Sequence, residues 1–155
     1  MGEKARQGLE LFKQGYFCSQ AVLMAFCEEL GMDRETALKI ASGFGGGMGR
    51  MGEVCGAVTG GFMVLGLEAW HADLPSPEEK NKVVARIREL TEIFKERRGS
   101  ILCKDLLGGC IIGTPEGYKD ASDKGLFVSV CRPVVEEVGE ILEGMLARKR
   151  QGGGD

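Results

Sequence analysis

Apolar residues recur along this chain at helical spacing, and the breaks between runs fall on glycine and proline. Residues 3–14 place Ala5, Leu9 and Phe12 on one side, with Glu3, Lys4, Glu10 and Lys13 elsewhere, which predicts an amphipathic helix ending at Gly15. A second helix is predicted at about 17–30, with Ala21, Met24, Ala25 and Phe26 in its apolar part and Gly31 as its stop. Asp33 caps a third at roughly 34–42, with Ala37, Ile40 and Ala41 facing inward. The next apolar run, Val54 to Trp70, is about one membrane span long. It contains Glu68 and several glycines, so a buried core helix from Cys55 to about Trp70 is the better reading.

Ser76-Pro77-Glu78-Glu79 combines a cap, a first-turn proline and early acids, and opens a helix to about Arg97 with Val83, Val84, Ile87, Leu90, Ile93 and Phe94 at helical spacing. Its basic end suits a C-terminus, and Gly99 stops it. Ser100 can cap a short helix through Leu107, after which 108–117 reads as irregular. Leu126 to Val130 is the one stretch that reads as a candidate strand. A last helix spans roughly 129–149, with Pro133 near its start and Val134, Val138, Ile141, Leu142 and Met145 as its buried stripe. The expectation is an all-α fold: a single-domain bundle of about six or seven helices over 1–150, with a loose tail at 151–155 and no internal repeat.

Length and composition support that picture. The 155 residues are one domain's worth, and 43% hydrophobic with 28% charged residues is close to the globular norm. A net charge of −3 offers no basic field for a phosphate backbone, so nucleic acid is not an expected partner, nor is membrane insertion. Met1 to Arg6 leads into a charged helical pattern and not an apolar signal core, so a cytoplasmic protein is expected. In a reducing compartment, six cysteines point to thiols, metal ligands or a redox pair before a disulfide framework.

Ahead of the central helix stands Ser42-Gly-Phe-Gly-Gly-Gly-Met-Gly-Arg-Met-Gly52, with Cys55 where loop and helix meet. So many glycines beside a cysteine suggest backbone that turns tightly or approaches something closely, and Gly45, Gly46, Gly47, Gly49, Gly52 and Gly56 are candidates to line a bound group. Gly52, Gly56 and Gly60, four apart, equally suit a groove in which another helix packs. Gly47 to Gly52 fits a GxGxxG pattern, but a helix and not a strand precedes it and no acid follows a second strand, which argues against a dinucleotide fingerprint. Arg50 is a candidate counter-charge for an anionic group or a solvated loop charge. His71, the single histidine, reads as a surface residue and not as a base.

Four cysteines fall at predicted helix starts: Cys18, Cys55, Cys103 and Cys131. A helix N-terminus offers free N–H groups and partial positive charge, which favour thiolate and so make a nucleophile or a metal ligand. Cys27 points to the other side of the helix that carries Cys18 and reads as a core residue, while Cys110 lies in a loop and fits either role.

Cys55-Gly56-Ala57-Val58-Thr59-Gly60, preceded by Cys18 and followed by Cys103 and Cys131, resembles the C_GCAxxG_C_C family, labelled for redox activity. The resemblance covers nearly the whole chain, although the label's Gly-Cys is Cys-Gly here. It implies a small redox protein with four functional cysteines, which map onto Cys18, Cys55, Cys103 and Cys131, and it supplies a class of chemistry and not a reaction.

Three readings of the four cysteines follow. They converge as ligands on one iron–sulfur cluster for electron transfer, with zinc as the single-ion variant; the glycine loop's N–H groups would then reach the sulfurs. Against this, the chain has no local CxxC pair. Alternatively two of them cycle between dithiol and disulfide with no metal. Finally they are packing residues in a non-catalytic helical interaction module. The expected partner is a redox protein or a small redox substrate, and a homodimer is compatible with the sequence.

Overall fold

The computed structural model describes residues 2–152. Among them are eight α-helices and no strand: α1 (Glu3–Lys13), α2 (Cys18–Phe26), α3 (Arg34–Ala41), α4 (Gly56–Ala69), α5 (Pro77–Arg98), α6 (Cys103–Leu106), α7 (Pro115–Asp123) and α8 (Arg132–Gly152). Short 3-10 turns at Glu28–Leu30 and Ser42–Phe44 and a π-helical segment at Phe127–Cys131 complete them. The all-α expectation holds, with one helix more than the upper count. The addition is α7, whose start repeats the signature of α5: Thr114 Oγ1 accepts from Gly117 N–H at 3.0 Å, and Pro115 and Glu116 follow in the first turn.

The bundle is built around α4, which buries residues on nearly all sides, from Gly56 to Gly61 and then Val64, Leu65, Glu68 and Ala69. Glycine lets its neighbours come close. A Cβ at Gly60 would sit 2.8 Å from the Ser19 carbonyl oxygen of α2, and one at Gly61 would meet Leu90 of α5 at 2.8 Å and Val138 of α8 at 3.2 Å. Gly56 and Gly60 thus form the predicted helix groove, whereas Gly52 stays in the loop beside Lys104 and Ile111. Leu23, Leu65, Leu90, Phe94, Leu142 and Met145 are fully buried between these helices, each contributing roughly 2 kcal/mol of hydrophobic stabilisation. No described helix is long and apolar enough to cross a membrane.

Polar side chains fix the outer helices on this core. Glu143 of α8 accepts from the Ala5 N–H at 2.8 Å, capping the start of α1. Ser19 donates to the Ala41 carbonyl at 2.7 Å and Gln20 to that of Leu38 at 2.9 Å, which seats α3 against α2. Glu68, 7% exposed, is answered by Lys149 at 2.8 Å and Arg86 at 3.5 Å.

Several local expectations are corrected. The second helix stops at Phe26, and Gly31, at φ 86°, closes the 3-10 turn after it. Ile40 is 50% exposed, because the eight-residue α3 buries Ala37 and Ala41 and has no second apolar row to cover. Val84 is 46% exposed, since α5 turns its Leu90–Phe94 stripe inward and two adjacent valines cannot share that face. The candidate strand Leu126 to Val130 is helical, with no partner strand beside it; Leu126 leads into the π segment. Leu102, not Ser100, precedes α6, and Ser100 instead accepts from the Leu102 N–H at 3.0 Å. Of the expected tail, Gln151 and Gly152 end α8, and 153–155 lie outside the described residues.

Candidate functional site

Two strands' worth of hydrogen bonds, without strands, bring distant cysteines together. The backbone of 52–55 pairs antiparallel with 101–104: Cys55 N–H donates to Ile101 at 2.7 Å, Cys103 N–H to Glu53 at 2.7 Å, and Val54 bridges Leu102. This clasp sets Cys103 beside the loop that ends at Cys55. The packing of α2 on α4 brings in Cys18, and a Cβ at Gly56 would lie 2.5 Å from its sulfur. Cys131 arrives from the π segment. All four line one cavity of about 320 Å³. Its walls are mostly apolar, with Phe12, Tyr16, Phe17, Tyr118 and Phe127 prominent among them.

The glycine loop forms one edge of this cavity. From Gly46 to Arg50 five consecutive residues have φ between 61° and 73°, a left-handed turn. Glycine adopts this freely, but Met48 and Arg50 do not, and left-handed backbone costs a side-chain-bearing residue about 1 kcal/mol or more. The turn is held by its own bonds, among them Gly49 N–H to Gly43 at 2.8 Å and Glu53 N–H to Gly47 at 2.9 Å. Gly45 and Gly47 are there for space, since side chains would strike the Phe17 ring at 2.3 Å and the Cys103 Cβ at 2.7 Å. Of the six glycines expected at the site, Gly46 and Gly56 line the cavity; Gly45, Gly47, Gly49 and Gly52 shape the loop from outside it.

The four thiols differ in electrostatics. The pKa of Cys18 is lowered to about 7, first by the Cys55 thiol, which donates a hydrogen bond to its sulfur, and then, against burial, by the N–H groups of Gly46, Ser19 and Ala57. Cys55 is raised well above the usual thiol range, because it keeps the proton that it shares with Cys18 and is buried. Burial raises Cys103 to about 11 and, with the charges of Cys18 and Cys103, raises Cys131 to about 12.

The expectation that helix starts favour thiolate therefore holds for Cys18 alone. α6 is a single turn, and the π segment runs unbroken into α8, with Arg132 N–H bonded to Phe127. Cys27 is fully buried, as expected, with its thiol 3.6 Å from the Met24 carbonyl. Cys110 resolves toward packing: it is buried beside Cys103, and its thiol donates to Asp120 at 3.1 Å.

Residues 16–145 match the family described as "Putative redox-active protein (C_GCAxxG_C_C)". The chain belongs to the C_GCAxxG_C_C family. No curated protein and no solved structure matches it. The four cysteines that make the family resemblance are the four on the cavity, while Cys27 and Cys110 are off it.

All six cysteines are free thiols. Four thiols are the right donor set for an iron–sulfur cluster. Yet among the described residues no group of three or more Cys, His, Asp or Glu side chains is gathered so as to hold a metal ion. As arranged, the four sulfurs line a space and do not converge on a point.

Sequence reasoning missed the aromatic wall and the position of Arg50. The Arg50 guanidinium lies 5.6 Å from the Phe17 ring centre and 5.5 Å from that of Tyr118, between the two at the edge of the cavity. Tyr118 is delivered by α7 and stacks on Phe127 at 5.3 Å, so the wall became legible only with that helix.

Proposed function

We propose that this member of the C_GCAxxG_C_C family is a thiol–disulfide redox protein in which Cys18 is the nucleophile and Cys55 its resolving partner. The observation that carries the reading is the placement of Cys18 and Cys55 together on the wall of an open cavity, where the Cys55 thiol and nearby backbone N–H groups lower the Cys18 pKa to about 7. The Cys18 thiolate attacks one sulfur of a substrate disulfide, forming a mixed disulfide and releasing the other half as a thiolate. That thiolate takes the Cys55 proton. The Cys55 sulfur then attacks Cys18 and expels the second half as a thiolate, which takes from water the proton that Cys18 released on ionising. Two cysteines have lost two electrons, the substrate disulfide has become two thiols, and the reverse sequence regenerates the dithiol.

A second reading keeps an iron–sulfur cluster as electron carrier. What favours it is that all four family cysteines face one cavity; what weighs against it is that the four sulfurs do not converge on a point. One experiment separates the two. Iron, sulfide and zinc are measured with the visible spectrum on anaerobically purified protein, before and after reconstitution, and thiols are titrated before and after mild oxidation. Loss of two thiols on oxidation, with a Cys18–Cys55 peptide in the mass spectrum and no metal, is the expected result. Stoichiometric iron and sulfide with charge-transfer bands would replace the dithiol reading by the cluster.

A further inference from the structure

The cavity also carries information about what enters it. Among the residues that line it, Arg50 is the single one with a permanently charged side chain. No described acid pairs with it; both of its near neighbours are aromatic faces. Nor is it among the groups that hold the Cys18 thiolate, which are a thiol and backbone N–H groups. Its charge, exposed at the rim, meets two aromatic faces and no carboxylate. Moreover, Arg50 sits at φ 62°, in a conformation that a glycine would occupy without strain, on a loop where glycine is the commonest residue. Met48 carries the same strain away from the cavity, but at Arg50 the strained residue holds a cation without a carboxylate partner at the edge of an apolar chamber with a nucleophile in its wall, the pattern of a ligand clamp.

We propose that the cavity selects, as substrate of the thiol pair, a low-molecular-weight alkyl disulfide bearing one carboxylate, with the alkyl body among the aromatic walls and the carboxylate on Arg50. This rests on the thiol–disulfide reading and adds the substrate class to it. Arg50 is a positioning residue: it fixes the anionic end so that the disulfide reaches Cys18 and is not itself part of the exchange. The chemistry is the exchange already written, with the substrate's two sulfurs as electron acceptor.

The test uses matched charged and neutral probes. Reduced protein is mixed with a large excess of lipoate, a cyclic disulfide with an alkyl carboxylate, or of its neutral amide, lipoamide, and the rate of Cys18–Cys55 disulfide formation is read by quenched alkylation. At low salt lipoate should react about two- to fivefold faster than lipoamide, since a rim ion pair is worth no more than that. Arg50→Gln should bring the ratio to about one, Arg50→Lys should keep most of it, and 1 M salt should erase it in the native protein. An unchanged ratio in Arg50→Gln, or none in the native protein, overturns the proposal. Octanoate and octanamide, which have no disulfide, give a readout independent of redox chemistry: octanoate should protect Cys18 from alkylation better than octanamide, and Arg50→Gln should remove the difference. If neither lipoate nor lipoamide oxidises the pair yet octanoate protects, the thiol–disulfide reading fails and the anion-selective cavity stands. Equal protection by octanoate and octanamide sinks the cavity assignment whatever the thiols do.

Discussion

Two pairs of cysteines face the same cavity, and the protein treats them differently. Cys18 and Cys55 belong to the main core, at the meeting of α2, α4 and the glycine loop, where backbone N–H groups of Gly46, Ser19 and Ala57 turn toward sulfur. Cys103 and Cys131 belong to a smaller apolar cluster with Leu107, Cys110, Ala121 and Phe127, in which burial dominates their ionisation. The pairs are alike in sequence terms, each an isolated cysteine at a predicted helix start. The difference lies in whether backbone N–H groups reach the sulfur or burial and neighbouring sulfur charge prevail, and it is why the proposed exchange puts the reactive thiol in the first pair.

The widest gap between the pairs should come from deletion. Cys18→Ser should lower disulfide exchange by on the order of a thousandfold or more, as loss of a nucleophile does, while Cys103→Ser and Cys131→Ser retain it. Cys55→Ser should leave the helices intact by circular dichroism and trap a mixed disulfide on Cys18, visible by mass spectrometry. A Cys131→Ser variant as inactive as Cys18→Ser would break the comparison and favour four-cysteine ligation.

A smaller contrast, and one that needs no mutation, is the pH dependence of alkylation. A thiol is attacked as thiolate, so lowering the Cys18 pKa from 9.0 to about 7 raises its thiolate fraction at pH 7 from roughly one in a hundred to about one in two. Its alkylation should rise through a midpoint near pH 7 and level off above pH 8, while Cys103, at about 11, keeps rising beyond that range. Thiolate fractions alone differ several-thousandfold at pH 7, but the less basic thiolate is the poorer nucleophile, so about a hundredfold difference in rate is expected. A Cys18 midpoint near 9 would remove the reason for ranking the pairs.

The contrast also predicts where the backbone tolerates change. Gly56→Ala would place a methyl 2.5 Å from the Cys18 sulfur and 2.9 Å from the Phe44 carbonyl oxygen, neither on a flexible side chain with room to move. Overpacking there should cost about 2 kcal/mol and shift the Cys18 titration, whereas Gly66→Ala, with nothing within 4 Å on the same helix, should stabilise slightly. A Gly56→Ala protein with native stability and native Cys18 reactivity would show that the α2–α4 contact does not set the thiol's environment.

Much of this was legible in the sequence, and the parts that were not have physical causes. Helix periodicity and caps gave α1, α3, α5 and α8 to within a few residues, and the glycines of α4 announced close helix packing. Motif order picked out the same four cysteines that line the cavity. Their inequality was hidden, because helix-start position says nothing about whether an N–H is already bonded: α8 has its first donors occupied by the π segment, which no spacing rule marks. The pairing of 52–55 with 101–104 was equally invisible, being an isolated bridge with no alternating pattern behind it. Arg50 could be seen as a loop cation, but its placement between Phe17 and Tyr118 depends on a left-handed turn that includes two residues that are not glycine.

That turn supplies the smallest and sharpest test of how the loop serves the first pair. Met48 and Arg50 both hold φ near 62°, and each is strained by about 1 kcal/mol relative to glycine there. Met48 does not line the cavity, so Met48→Gly should relieve strain and change little else, raising stability by up to about 1 kcal/mol less the extra chain entropy of glycine in the unfolded state. Arg50→Gly should relieve the same strain but take away the guanidinium. If the loop is shaped for folding alone, both variants are stabilised and both keep the native preference for lipoate over lipoamide. If the left-handed turn exists to bring Arg50 to the cavity, the two gain similar stability in chemical denaturation, and only Arg50→Gly loses the preference.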